Sequence, residues 1–344
     1  MRLTLLLLVP TALTGCELAD RLDPDLAVRP HPCFGNRTDT VFIDDADTMY
    51  VGCGTTTEGQ GLYRTTDAGR SWEPVAGFEA FRVSHVHRAG DGVLYVAGTG
   101  PNSQRVVSLG IDDTITPVFE AQAQTWNSFH VGTFLRMDDG SAMAESLTGG
   151  DLAFRPTETG PWEDGYGWWT GEDSFQVLDA VLFDGHVVGV GSTIIQPPTV
   201  FVQQEGPGFT MSDTSLLDTI GELWSVDTDG RALVAGGVDQ SADVGLIFWT
   251  DGGDPSDPAS WESTDLRDLS TDQATWVRGV CRDGDHLVAV GEYSQLGEGL
   301  MLESTDGGIS WNDITPDSAP PLSRCRFGHG RLAIAGAQGF FALN

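Results

Sequence analysis

His286-Leu287-Val288-Ala289-Val290-Gly291, preceded by Asp283-Gly284, is a short β-prone run that opens on a tight turn and stops at a glycine. The phrase recurs at residues 48–52, 93–98, 186–191, 231–236 and 331–336. Asp91-Gly92, Asp184-Gly185 and Asp229-Gly230 stand before three of these copies, and Asp-Gly pairs favour two-residue hairpins. A weaker seventh copy, Asp139-Gly140-Ser141-Ala142-Met143-Ala144, falls between the second and third. The period is about 45 residues, stretched once by an insertion in the fifth unit.

Each unit holds more than this one strand. Leu223-Trp224-Ser225-Val226 and Trp276-Val277-Arg278-Gly279-Val280 lie upstream of their turns, Gly299-Leu300-Met301-Leu302-Glu303 lies downstream, and Ser310-Trp311-Asn312-Asp313-Ile314 follows as a fourth strand. Four short antiparallel strands in a unit of this length make one propeller blade, and no helical periodicity of useful length interrupts them. The expected fold is all-β: a single seven-bladed β-propeller of four-stranded antiparallel blades, closed by an N-terminal strand. The last unit has only three strands before Asn344, so a segment around Leu26 to Phe34 is expected to supply the missing outer one. Closure of this kind removes two open sheet edges.

The first residues are of another kind. Met1-Arg2 and the apolar run to Leu13 are too short to span a bilayer and read as a signal peptide. Leu13-Thr14-Gly15-Cys16 resembles the lipobox of bacterial lipoproteins, which implies lipidation of Cys16 and a first mature residue there. An ordinary secretory signal with an incidental cysteine is the alternative. More than one acyl chain gives stable attachment to a membrane without spanning it. The expected domains are a signal peptide at 1–15, a Pro-rich and charged tether at 16–32, and the propeller at 33–344. Localisation follows as exported and held to the cell envelope by lipid, on the periplasmic face or the cell surface.

The chain carries 50 acidic residues against 18 basic ones, a net charge of −32, and every basic residue counted there is arginine. Such a surface repels phosphate backbones, so nucleic acid is excluded as a partner. The absence of lysine removes a Walker-type nucleotide loop, a Ser-Lys dyad and Schiff-base chemistry together. No Gly-x-Ser-x-Gly or His-Glu-x-x-His occurs. With Cys16 lipidated, four cysteines remain, and the favoured pairing is Cys33 with Cys53 and Cys281 with Cys325, because each pair lies in the same or neighbouring repeats. Free buried thiols are the alternative.

Thr65-Thr66-Asp67-Ala68-Gly69-Arg70-Ser71-Trp72 and Ser304-Thr305-Asp306-Gly307-Gly308-Ile309-Ser310-Trp311 sit between the third and fourth strands of the first and sixth blades. Both resemble the Asp-box of the bacterial-neuraminidase-repeat, sialidase-like propellers. Thr250-Asp251-Gly252-Gly253 with Trp261 is an interrupted copy, and Thr157-Glu158-Thr159-Gly160 with Trp162 a degraded one. The resemblance implies a structural role for Thr65, Asp67, Gly69, Trp72, Ser304, Asp306, Gly308 and Trp311 at the blade periphery, where hydroxyl and carboxylate cap turn amides. It also raises a sialidase-like glycoside hydrolase, whose family chemistry needs arginines on a substrate carboxylate and a tyrosine nucleophile. Only five tyrosines occur, and most fall inside repeat strands.

Arg278, Arg282, Arg324 and Arg326 fall on the inner strands of the last two blades, where they are candidates to bind an anionic ligand. Charge balancing is the competing reading. Trp168 and Trp169, in the acidic loop between the third and fourth blades, are candidates for sugar stacking or protein contact. His85-Val86-His87, with His130 nearby, is a weak metal pattern that lacks an acidic or cysteine partner, so no metal and no cofactor is expected. The leading expectation is a monomeric, non-enzymatic binding or scaffold module for an unidentified protein or glycan. The hydrolase is the alternative, and an assembly factor like the propeller that helps build photosystem II is a second.

Overall fold

The computed structural model describes residues 27–28, 32–33, 38–54, 59–100, 103–122, 131–146, 152–164, 175–193, 197–203, 211–266, 275–337 and 341–343. Strand β1 (Ala27–Val28) precedes the first blade, which is β2 (Thr38–Ile43), β3 (Met49–Gly54), β4 (Gly59–Thr65) and β5 (Glu73–Pro74). The second is β6 (Arg82–Arg88), β7 (Leu94–Thr99), β8 (Ser103–Leu109) and β9 (Ile115–Gln122). The third is β10 (Val131–Arg136), β11 (Ala142–Ser146), β12 (Leu152–Arg155) and β13 (Glu163–Asp164). The fourth is β14 (Phe175–Phe183), β15 (His186–Thr193), β16 (Pro198–Gln203) and β17 (Met211–Ser215). The fifth is β18 (Gly221–Thr228), β19 (Leu233–Asp239), β20 (Val244–Thr250) and β21 (Trp261–Asp265). The sixth is β22 (Thr275–Asp283), β23 (His286–Tyr293), β24 (Glu298–Ser304) and β25 (Asn312–Asp313). The seventh holds β26 (Leu322–Gly328), β27 (Arg331–Gly336) and β28 (Phe341–Leu343).

These strands form seven four-stranded antiparallel sheets, and the seventh has the order β1-β28-β27-β26. Ala27 pairs with Leu343 and Val28 with Ala342, so the N-terminal strand becomes the outer strand of the last blade. The protein is an all-β seven-bladed propeller. The closing strand lies inside the segment from Leu26 to Phe34 expected to supply it, and within the stretch 16–32 expected as tether. Its pairing covers the outer edge of β28, which would otherwise be open.

The recurring run is the second strand of each blade, and its closing glycine has a steric cause. Every inner strand carries a bulge at the same level: after Thr38, Val83, Val131, Val177, Leu223, Val277 and Leu322. A bulge kinks the strand locally. At this level a Cβ on Gly98 would lie 2.1 Å from the Arg82 carbonyl, and one on Gly291 1.8 Å from that of Trp276. Only glycine fits. The Asp184-Gly185 turn has φ of 49° and 78°, the paired positive values that a type I′ hairpin requires.

Neighbouring blades bury their faces against each other. Val188, Val190 and Val200 of the fourth pack with Leu223, Val226 and Leu233 of the fifth, and the other clusters repeat this arrangement around the ring. Two disulfides are present: Cys33 to Cys53, with Cα atoms 5.3 Å apart, ties the segment after β1 to β3, and Cys281 pairs with Cys325, 5.7 Å apart. The second joins the inner strands of blades six and seven.

Candidate functional site: the central channel and its rim

Inner strands from all seven blades line a central cavity of about 270 Å³. Asp39, Arg82, His85, His87, Asp179, Asp227, Arg324 and Arg326 supply its ionisable groups. Most of their polar atoms act as struts. Arg82 Nε donates to Asp39 Oδ2 at 2.6 Å, joining the second blade to the first. Asp179 Oδ2 accepts from the Val226 amide at 3.1 Å, and Asp227 Oδ2 from the Arg282 amide at 3.0 Å. Ser225 Oγ accepts from the Val280 amide at 3.3 Å, and His85 Nδ1 from the Phe134 amide at 3.2 Å. In the last four bonds a side chain on one inner strand satisfies an amide of the next blade. An amide left unmatched in this interior would cost about 1–3 kcal/mol.

The electrostatics follow from burial. Desolvation pushes the Asp179 and Asp227 carboxyls upward, opposed chiefly by Arg324 and Arg326 respectively. Burial also pushes the His85 imidazole down to about 3, aided by His87 and then by Arg326 and Arg324, and pushes His87 down to about 4, aided by Arg326. A neutral His85 is what lets Nδ1 accept the Phe134 amide. The two rings stack with centroids 6.2 Å apart. Among the described residues, no group of histidine, cysteine and acidic side chains has metal-binding geometry.

The four arginines do not form one site. Arg324 and Arg326 line the channel: Arg324 Nη1 donates to the Arg278 carbonyl at 3.1 Å and its Nε to the Asp39 carbonyl at 2.9 Å, while Arg326 Nη1 donates to Asp227 Oδ1 at 2.6 Å. Arg282 is buried between blades five and six, with Nη1 3.2 Å from the Thr250 carbonyl. Arg278 lies at the rim against Trp224 and Trp276, its Nη2 2.7 Å from Glu292 Oε1. Strand geometry separates them, since Arg278 and Arg282 are four positions apart on one strand and point to different levels. Cys16, Trp168, Trp169 and His130 lie outside the described residues.

The turns at 65–72 and 304–311 share one hydrogen-bond pattern. Thr65 Oγ1 donates to Asp67 Oδ1 at 2.8 Å and accepts from the Gly69 amide at 3.0 Å, while the Ser71 amide donates to Asp67 Oδ1 at 2.8 Å. The equivalent distances for Ser304, Asp306, Gly308 and Ser310 are all 2.9 Å. These bonds hold the exposed Asp67 carboxyl down at about 2, the Ser71 hydroxyl being the largest cause. The tryptophans point inward: Trp72 meets Phe341 of the seventh blade edge-on at 5.3 Å, and Trp311 is buried with its Nε1 2.9 Å from the Gly308 carbonyl.

The channel acids Asp39, Asp179 and Asp227 and the rim indoles Trp224 and Trp276 are missing from the sequence-based candidates. Their signal is faint but present: single acids inside otherwise apolar inner strands, as in Val177-Leu178-Asp179-Ala180-Val181.

No protein-family model matches the sequence, and no curated protein matches it. Solved structures do match in shape. YCF48 bound to D1 peptide aligns over 93% of this chain and 94% of that one, at 14% identity and a TM-score of 0.64. YCF48 from Cyanidioschyzon merolae aligns over 93% and 98%, at 14% identity and 0.65. Virginiamycin B lyase from Staphylococcus aureus aligns over 92% and 98%, at 11% identity and 0.65. At these identities the likeness shows the propeller fold alone.

Proposed function

We propose that this chain is an exported lipoprotein, anchored through Cys16, whose propeller is a non-enzymatic binding module for a protein partner. The observation that carries the reading is the channel: its carboxylates and guanidiniums are bonded to other blades, as in Asp227 with the Arg326 guanidinium and the Arg282 amide. Groups used in this way stiffen a platform. A hydrolase would instead aim its charged groups at a substrate. A matching fold bound to a peptide, in YCF48, adds support for a protein partner. The relation to the bacterial-neuraminidase-repeat propellers rests on the two peripheral turns and carries no activity with it.

A photocrosslinking residue at Ser241 or at Ile309, both exposed and on opposite faces, tests the reading in the living host. A discrete protein adduct from one face and not the other is expected. Failure of both positions, together with glycoside turnover by the purified protein, would overturn it. Cys16→Ser is expected to release the protein from the membrane fraction.

A further inference from the structure

Trp224 and Arg278 occupy the bulges of β18 and β22, the innermost strands of adjacent blades. A bulge re-aims its side chain, and here two consecutive bulges bring theirs together on the rim. The Arg278 guanidinium carbon lies 4.1 Å from the Trp224 ring centroid and 4.5 Å from that of Trp276. The indole centroids are 5.9 Å apart, with their planes at 73°. Each member is fixed by a carboxylate: Trp224 Nε1 donates to Glu222 Oε2 at 2.8 Å, Trp276 Nε1 to Asp243 Oδ1 at 2.7 Å, and Arg278 Nε to Glu292 Oε1 at 2.9 Å. All three central side chains are only partly buried.

The cluster sets three carboxylates against the Arg278 guanidinium, and a second guanidinium, Arg324, donates to the Arg278 carbonyl at 3.1 Å, so carboxylates remain in excess. Among the described residues, Glu222 Oε1 and Glu292 Oε2 accept no hydrogen bond, so each retains acceptor capacity beside an indole. Tryptophan and arginine are the residue types that dominate protein-binding hot spots. Fixing them beforehand lowers the entropy lost on association. The excess negative charge selects a cationic partner, and the net charge of −32 steers it toward the chain. A neutral sugar is disfavoured because Arg278 already covers indole faces on which it would stack.

We propose that the Trp224–Arg278–Trp276 stack is the docking anchor for a lysine- or arginine-bearing segment of a protein partner. The inference rests on the binding-module reading above and names its partner by charge. The test uses the full chain in detergent, with short fluorescent peptides of high Lys/Arg content, matched Asp/Glu-rich and neutral peptides, and neutral oligosaccharides as probes. Basic peptides are expected to bind, and raising salt to about 0.5 M weakens them. Trp276→Ala, and separately Glu222→Gln with Glu292→Gln, are expected to weaken binding by about tenfold or more. The paired glutamine substitutions preserve shape, so a misfolded Trp276→Ala leaves the proposal testable.

Absence of basic-peptide binding, equal binding by the glutamine variant, or binding of oligosaccharides alone would overturn the inference. Basic peptides that bind but ignore the glutamine substitutions would sink this site and leave a binding module standing. Glycoside turnover would sink the module itself.

Discussion

Arg326 Nη1 lies 2.6 Å from Asp227 Oδ1, a bond that runs from the seventh blade to the fifth and skips the sixth. The other Asp227 oxygen takes the Arg282 amide of that sixth blade at 3.0 Å, so one carboxylate ties three blades together. Asp227→Asn keeps the shape but removes the charge that both donors face. The expected loss is about 1–3 kcal/mol in urea unfolding, with the fold retained. An unchanged midpoint would show that the bond contributes nothing.

Acid should loosen the ring through its histidines. His85 and His87 titrate at about 3 and about 4 in the folded protein, below the ordinary value near 6.5 because burial opposes their charged form. The unfolded chain thus binds more protons as pH falls from about 6.5, and stability is lost down through the folded values at up to about 1.4 kcal/mol per pH unit per imidazole. Asp179 and Asp227 act in the opposite sense: their raised values make stability fall as pH rises between the unfolded and folded pKa. A melting series from pH 7 to 4 is expected to flatten in a His85→Gln, His87→Gln variant. A slope identical to the parent would contradict the assignment.

Ring closure makes a third prediction. Deleting residues 24–36 removes β1 and the Cys33–Cys53 link, and the whole domain should then melt earlier. A melting curve like that of the parent would refute the closure. Replacing Cys281 and Cys325 by serine leaves β1 intact and should cost about 2–4 kcal/mol through loop entropy.

At the periphery, Trp311→Ala should cost about 3–5 kcal/mol, because its ring is buried against the fifth and sixth blades. The turn between β24 and β25 lies at the opposite end of the blade from the rim indoles, so peptide binding by the folded fraction should not change. A small stability loss with a large binding loss would reverse the roles assigned to these two regions.

The architecture was legible because its signals are local. Asp229-Gly230 and the closing Gly236 mark one strand of one blade, and repetition supplied the rest. The missing outer strand of the last unit was legible by subtraction, although its short pairing at Ala27 and Val28 fell within the expected tether. The channel was harder to read. Asp179 and Val226 are distant in sequence, and their bond exists only because consecutive inner strands converge on one axis. The same convergence separates Arg278 from Arg326 by level, which a count of arginines per strand cannot register. Trp224 and Arg278 meet through bulges, and periodicity does not report which residue a bulge displaces.

Turnover of fluorogenic sialosides and other glycosides by the full chain, beside Arg324→Ala and Arg326→Ala variants, tests the scaffold reading most directly. The account predicts no product above the buffer control for any of the three proteins, with the parent fully folded by circular dichroism. Steady release of fluorophore by the parent, abolished in both variants while their fold persists, would contradict it.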